Sequence, residues 1–260
     1  MTQTKPIILR GKPLADGATP VLCTPLVGVD RGELLGEIAS VLPARPDLLE
    51  WRADYFAALA DTEQVIDTGH ALKAACRGLP ILFTRRMASE GGRSVPLSEP
   101  RVVQLYEAVC AGRCVDLIDY ELSNPSEAFE RLRVSSHRHD IAMIASYHNF
   151  QSTPALEALI AKFREAQSRG ADVGKIAVMP KSPADVLTLL AATYQASTSL
   201  DIPLISMSMG GYGSVSRMIG GVFGSALTFA VGKSSSAPGQ IAIDELRAVL
   251  ATVRRSVGTA

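Results

Sequence analysis

Lys175 is the residue of this 260-residue chain whose surroundings least suit its type. It follows Gly174 and opens the apolar run IAVMP, so strand alternation puts Lys175, Ala177 and Met179 on one face. If that face lines a protein interior, the ammonium is desolvated. Arginines gathered around it would act in the same sense, and both effects favour the neutral amine. A neutral lysine near pH 7 is a nucleophile toward ketones and forms Schiff bases. His148 ends the apolar run IAMIASYH and can exchange protons near neutral pH from the end of a strand. His70 and His137 fall in helical patterns and His139 in a turn, and all three are expected at the surface.

Other charged residues sit where an apolar strand should be. DLLEWRAD carries Glu50 and Arg52 two residues apart, hence on one face. ILFTRR ends in Arg85 and Arg86, of which only one can point inward, and VDLIDYEL has Asp119 and Glu121 on one face. Strands covered by helices on both sides should read as continuous apolar runs. Charge inside such a sheet is costly unless paired, so five successive strands that carry it point to a shared site at the strand ends. MSMGGYGSVSR is expected to bend at the same end and to supply Arg217. KSSSAPGQ, Lys233 to Gln240, is expected to be a loop that closes over a ligand.

The elements that must position these residues alternate. Strands are expected at Val21 to Gly28, Asp47 to Ala53, Pro80 to Arg86, Val115 to Leu122, Ile141 to His148, Lys175 to Pro180, Pro203 to Ser208 and Phe223 to Ala230. Helical patterns follow at Gly32 to Leu42, Thr62 to Arg77, Glu99 to Ala111, Ser126 to His137, Pro154 to Arg169, Pro183 to Ser197, Ser214 to Gly220 and Ile241 to Arg255. Thr153-Pro154 and Ser182-Pro183 each place a capping hydroxyl before a proline at the first helical position, and Gly170 closes the helix before it. Units of about 30 residues predict a (β/α)8 TIM barrel, an α/β fold forming one catalytic domain over residues 1–260. The segment before Val21 is expected to form a short hairpin closing the barrel bottom. No Gly-x-Gly-x-x-Gly follows the first strand, which disfavours a doubly wound nucleotide-binding sheet.

Composition narrows the function classes. Lysine plus arginine and aspartate plus glutamate both number 26, so a net charge of zero argues against a nucleic-acid partner. Hydrophobic residues make up 47% and charged residues 20%, enough apolar material for a large core. Cys110 and Cys114 have no second pair or histidine at zinc-finger spacing, so Cys23, Cys76, Cys110 and Cys114 are expected as reduced thiols and no metal site is expected. No run reaches the ~18 apolar residues of a membrane span. The N-terminus lacks the apolar core of a signal peptide, and a cytoplasmic location is expected.

The segments DLLEWRADYF, ILFTRRMASEGG, VDLIDYEL, IASYHNF, ADVGKIAVMPKSPADVLTLL, ISMSMGGYGSVSR, VFGSALTFA and SSAPGQI together resemble the type I 3-dehydroquinate dehydratases, in that family's order from about residue 21 onward. The resemblance implies a cofactor-free homodimeric barrel that dehydrates 3-dehydroquinate. It implies that Lys175 forms the imine, that His148 moves the protons and that Glu90 lies near the histidine. Glu50, Arg52, Arg86, Arg217, Ser236 and Gln240 would hold the substrate's hydroxyls and carboxylate. Three places depart from the pattern: Asn149 stands where several relatives have aspartate, Pro25 where some have a serine that contacts substrate, and MGGYGS where some have a more polar loop. Two other functions fit the bare residue pattern. A class I aldolase would use the same lysine to cleave a phosphorylated sugar, and a non-catalytic barrel would bind a carboxylate metabolite without reaction.

Overall fold

The computed structural model describes residues 4–15, 17–232 and 237–258. The chain opens with an antiparallel hairpin, β1 (Ile8–Leu9) and β2 (Lys12–Pro13). Eight parallel strands then run in chain order: β3 (Val21–Leu26), β4 (Leu48–Arg52), β5 (Ile81–Thr84), β6 (Leu117–Glu121), β7 (Ala142–Asn149), β8 (Val173–Val178), β9 (Leu204–Ser208) and β10 (Leu227–Val231). β10 pairs back onto β3, and a bridge between Leu204 and Ser225 closes β9 toward β10, so the sheet curls into a TIM-type barrel. A two-residue strand, β11 (Ile241–Ala242), adds to β10 before the last helix.

Among the described residues the α-helices are α1 (Arg31–Val41), α2 (Thr62–Ala75), α3 (Glu99–Gly112), α4 (Ser126–Arg138), α5 (Leu156–Ser168), α6 (Pro183–Ser199), α7 (Gly210–Ile219) and α8 (Ile243–Gly258). Several begin where short polar side chains satisfy free N–H groups: Asp30 accepts from Glu33 N, Asp61 from Gln64 N, and Asp185 reaches back to Ser182 N. Gly170 ends α5 with φ of 76° and donates to Gln167 O, as expected. Thr153 does not cap α5. The helix starts at Leu156, because the Thr153 hydroxyl is spent on Met179 O and the Asn149 side chain holds Gln151 N and Ser152 N in a turn.

Two other boundaries move for backbone reasons. Gly220–Phe223 is a 3-10 turn rather than the start of β10, and it ends on Gly224 at φ 101°, which only glycine adopts easily. The glycine-rich stretch expected as a bend is mostly helix, with the turn confined to Gly210 at φ 69°.

Alternation sorts the strands into two faces. Outward, Trp51, Phe83 and Tyr120 join Phe56 and Tyr106 in an edge-to-face ladder with ring centroids 5.0 to 5.7 Å apart, which fixes α3 against β4, β5 and β6. Inward at the strand starts, Val21, Leu48, Leu82, Leu117, Ile144, Val173, Ile205 and Leu227 form an apolar layer. Ile7, from the segment leading into the hairpin, is buried in that same layer, so the N-terminal segment plugs the bottom of the barrel as expected.

The bottom rim repeats one device. Asp47, Asp116 and Asp172 each precede an even-numbered strand, donate a main-chain N–H to the first or second carbonyl of the neighbouring strand and accept that residue's N–H on the carboxylate. The partners are Leu22, Ile81 and Met143. This double clamp sets the register of adjacent strands, and Asp116 also pairs with Arg10 of the hairpin and Lys73 of α2. Asp116→Ala should therefore leave the buried Ile81 N–H without a partner and destabilise the fold by about 1 to 3 kcal/mol. Urea unfolding should show a lower midpoint at unchanged slope.

Candidate active site

Register determines which side chains meet above the apolar layer. Glu121, Ser146 and Lys175 are paired neighbours across β6, β7 and β8, while Arg52, Thr84 and Asp119 are paired neighbours across β4, β5 and β6. The two rows converge at the barrel mouth. Here a pocket of about 460 Å³ is lined by Glu50, Arg52, Arg86, Glu90, His148, Lys175, Arg217 and Gln240, with Phe150, Met207, Met209 and Phe229 as apolar walls. Every site residue expected from the sequence is thus brought together except Ser236, which lies outside the described residues with the 233–236 part of the expected closing loop.

Lys175 is buried in the same pocket as Arg52, Arg86 and Arg217, but carboxylates lie against it. Its Nζ donates to Asp119 Oδ2 at 2.8 Å, lies 3.9 Å from Glu50 Oε1 and sits 4.7 Å from the Phe229 ring centre. Its nearest charged neighbours are carboxylates because β6 is adjacent but one to β8: Glu121 is in register with Lys175 through Ser146, and Asp119, two residues earlier on the same face of β6, reaches the Nζ. Asp119 has no exposure at all. It also accepts from Ser146 Oγ at 2.5 Å and faces Arg86 Nη2 at 2.8 Å. Burial alone would raise its pKa, but the charges of Arg86 and Lys175 win and hold the carboxyl well below its usual range.

Arg86 is the inward member of its pair. Its Nη1 donates to Glu121 Oε1 at 2.9 Å and Ser146 Oγ at 2.7 Å, so most of its fork serves protein groups. Arg85 points outward to Glu99, and its main-chain N–H donates to Tyr106 OH. Arg52 is held by a bidentate pair with Asp54. Glu50 accepts from Thr84 Oγ1 at 2.9 Å.

His148 is held from one side. Glu90 Oε2 accepts from the His148 main-chain N–H at 2.8 Å and lies 3.0 Å from Nδ1, while Ser123 Oγ donates to Glu90 Oε1 at 2.6 Å. A carboxylate can only accept, so Nδ1 carries the hydrogen and Nε2 keeps its lone pair. Burial raises the Glu90 pKa, against the donors that oppose it. Burial, reinforced by the positive charges of Arg86 and Lys175, lowers the His148 pKa well below 6.5. Both effects favour the free-base imidazole.

Glu90 reaches His148 because its loop is tight. Gly91 has φ 84°, and a Cβ there would lie 2.2 Å from the Phe150 ring, while a Cβ on Gly92 would meet Arg86 O at 1.9 Å. The aromatic ring packs directly on the loop backbone, a contact only glycine allows.

Arg217 approaches from α7. It is 1% exposed, and its guanidinium finds Phe229 O at 3.4 Å, Pro238 O at 3.2 Å and the Met207 sulfur at 3.8 Å. Among the described residues it has no carboxylate partner, and burial alone lowers its pKa to about 10. A buried fork without an anion is suited to a ligand carboxylate. The bond to Pro238, together with Gly210 N to Pro238 O, draws the 237–240 segment over the pocket, where Ala237 and Gln240 line it.

Sequence reasoning noted Asp119 and Glu121 without giving them roles, and it missed Asp54, Ser123, Ser146 and Phe229. The first two carried a signal as charges in an apolar strand. The others have ordinary residue types for their positions. The four cysteines are free and buried, and among the described residues no cluster of histidine, cysteine or carboxylate side chains could hold a metal. No helix among them is long and apolar enough to cross a membrane.

Residues 22–256 match the family described as Type I 3-dehydroquinase. A 3-dehydroquinate dehydratase of Albidiferax ferrireducens is 51% identical over 258 residues, covering 99% of this chain and 98% of that protein. The crystal structure of a 3-dehydroquinate dehydratase from Geobacillus kaustophilus superposes with a TM-score of 0.94 at 46% identity, covering 98% of each chain. A type I enzyme of that name from Clostridium difficile, solved with covalently modified comenic acid, gives 0.92 at 35% identity over 97% of this chain and 99% of that one.

Burying a cation that lacks an anion weakens the empty protein. Arg217→Met should raise the melting temperature of the ligand-free protein, by the equivalent of about 1 kcal/mol, and abolish any stabilisation by small carboxylates. Thermal unfolding with and without ligand checks both halves.

Proposed function

The chain belongs to the type I 3-dehydroquinase family, and from that membership we propose that it removes water from 3-dehydroquinate through an imine on Lys175, with His148 moving the protons. One observation carries the reading: a buried lysine and a histidine held at its Nδ1 side by Glu90 line the same pocket.

A proton alpha to a ketone is too weakly acidic for a histidine to remove unaided. Attack of Lys175 Nζ on the C3 carbonyl, followed by loss of water, gives a protonated imine, which draws electrons from the neighbouring carbon. His148 Nε2 then takes the C2 proton and leaves a neutral enamine. The enamine expels the β-hydroxyl, which leaves as water with the proton that His148 has just accepted. Water hydrolyses the remaining imine, releasing 3-dehydroshikimate toward aromatic amino acids and restoring the lysine.

The surrounding groups fit these steps. Asp119 faces the Nζ and balances the positive charge of the imine. Glu90 keeps Nδ1 protonated so that Nε2 is the working nitrogen. Arg217 takes the substrate carboxylate, while Glu50, Arg52, Gln240 and, in the loop beyond the described residues, Ser236 hold the hydroxyls. Arg86 contributes to the substrate only what its bonds to Asp119, Glu121 and Ser146 leave over. The activity needs no cofactor in this reading, and residues 1–260 act as one catalytic domain in the cytoplasm.

A homodimer is part of the same reading. From residue 186 to 222 the charged residues are Asp201 and Arg217, and Arg217 is buried. The adjacent helices α6 and α7 expose Leu187 at 67%, Tyr194 at 47%, Tyr212 at 59% and Val215 at 46%, a charge-free apolar face suited to a second copy. Leu187→Glu combined with Tyr212→Glu should shift the protein from dimer to monomer in sedimentation; a wild-type monomer would refute the assignment.

Borohydride added during turnover of 3-dehydroquinate should fix ligand mass on Lys175, located by peptide mapping. Trapping on Lys162, Lys181 or Lys233 would overturn the nucleophile assignment. His148→Ala should still trap the imine yet lose elimination by at least about a hundredfold. Because the His148 pKa is depressed, its base form persists as pH falls through 6.5, so the acid limb of kcat/KM should lie below that value. An acid limb at or above 6.5 that disappears in His148→Ala would count against this environment.

A further inference from the structure

Asp54 follows β4 in the 3-10 turn Ala53–Tyr55, and its side chain is fully buried beside the pocket without lining it. Its two oxygens meet four donors. Oδ1 accepts from Arg52 Nε at 2.9 Å and from the Arg86 main-chain N–H at 3.4 Å. Oδ2 accepts from Arg52 Nη2 at 2.9 Å and from the Arg93 main-chain N–H at 3.0 Å. Four acceptor sites are all that a carboxylate has, so the group is saturated.

These donors belong to two different arms of the site. Arg52 lines the pocket. Arg86 and Arg93 mark the beginning and end of the loop that carries Glu90, whose Oε2 holds both His148 N–H and Nδ1. The loop is closed inside by Gly92 N to Met87 O and tied to β6 by Met87 N to Glu121 Oε1. Asp54 fastens its two ends to the end of β4. Next to it, the Tyr55 ring lies 3.9 Å from the Arg93 guanidinium and 5.2 Å from that of Arg52, so the same turn also contacts both arginine side chains.

We propose that Asp54 is a positioning residue for the dehydration, which aims Arg52 at the substrate and, through both ends of the 86–93 loop, holds Glu90 against His148. The proposal rests on the dehydratase reading above. It separates two effects of one carboxylate: the Arg52 arm governs substrate binding, and the loop arm governs the proton transfers after the imine has formed. Lys175 and Asp119 are not among the groups it touches.

The test compares Asp54→Asn, Arg52→Ala and the double variant, each assayed for turnover of 3-dehydroquinate, borohydride trapping on Lys175 and thermal unfolding. The amide is the same size but presents N–H groups where donors already point. Asp54→Asn should raise KM and lower kcat, each about tenfold, while still trapping imine. Arg52→Ala should raise KM with little change in kcat. The decisive result is the double variant: kcat should fall a further tenfold from the Arg52→Ala value with KM unchanged, because the loop arm is lost independently. A double variant with the kcat of Arg52→Ala would overturn the loop arm, and an Asp54→Asn enzyme with wild-type kcat and KM would overturn the proposal outright. If Asp54→Asn does not fold, Asp54→Glu keeps the charge that Arg52 needs but cannot also meet both main-chain donors. It should lower kcat more than it raises KM, and wild-type kcat there would equally refute the role. A wild-type protein that neither turns over nor traps 3-dehydroquinate would instead overturn the dehydratase reading, and this proposal with it.

Discussion

The contact between Asp119 and Lys175 at the centre of the barrel mouth is the one that the rest of the site is arranged to permit. A carboxylate with no exposed surface is tolerated only when cations and hydrogen-bond donors surround it. Here it has Lys175, Arg86 and Ser146. Arg86 in turn needs more than one anion, and Glu121 supplies the second while also accepting from the Met87 main chain. From there the requirement for pairing extends into the 86–93 loop, to Glu90 and finally to His148. Removing one member would strand the charge of its neighbour, so these residues must be considered as a unit.

That arrangement also explains how one set of charges acts in opposite senses on two neighbours. Burial, with the positive charges of Arg86 and Lys175, lowers the His148 pKa and favours the neutral ring. The same two cations keep Asp119 ionised. A single set of charges therefore prepares a base on β7 and a counter-ion on β6. Arg217 stands apart: its neighbours are carbonyl oxygens and a thioether, so its cation remains available to an incoming carboxylate.

The barrel divides these tasks from those of stability. At the bottom, aspartates clamp pairs of strands and Ile7 seals the apolar layer. On the outside, the aromatic ladder holds α3 and α4 to the sheet without touching the pocket. Strand alternation makes the separation possible, because Glu50 and Arg52 flank Trp51, and Asp119 and Glu121 flank Tyr120. The charged mouth can thus serve the site while its neighbours in sequence supply apolar packing.

The sequence by itself determined the alternation of strands and helices and which charges share one face of a strand, as Glu50 with Arg52 and Asp119 with Glu121. These follow from period-two geometry and from the anomaly of charge in apolar runs, both of which are local properties, whereas the grouping of Arg86 and Arg217 with Lys175 and His148 was implied by the family resemblance of whole segments. Boundaries were less legible where glycine or a side-chain bond competes with the local pattern, as at Thr153, Gly210 and Gly224. Only the tertiary structure decided that carboxylates rather than arginines are nearest to Lys175, and that Asp54, Ser123 and Ser146 support the catalytic groups. Their residue types are unexceptional in the chain, and what they do depends on strand register and loop closure between residues 27 to 60 positions apart. Pairing of buried charges is a property of three-dimensional neighbours, and a linear pattern can show that a charge must be paired without showing by what.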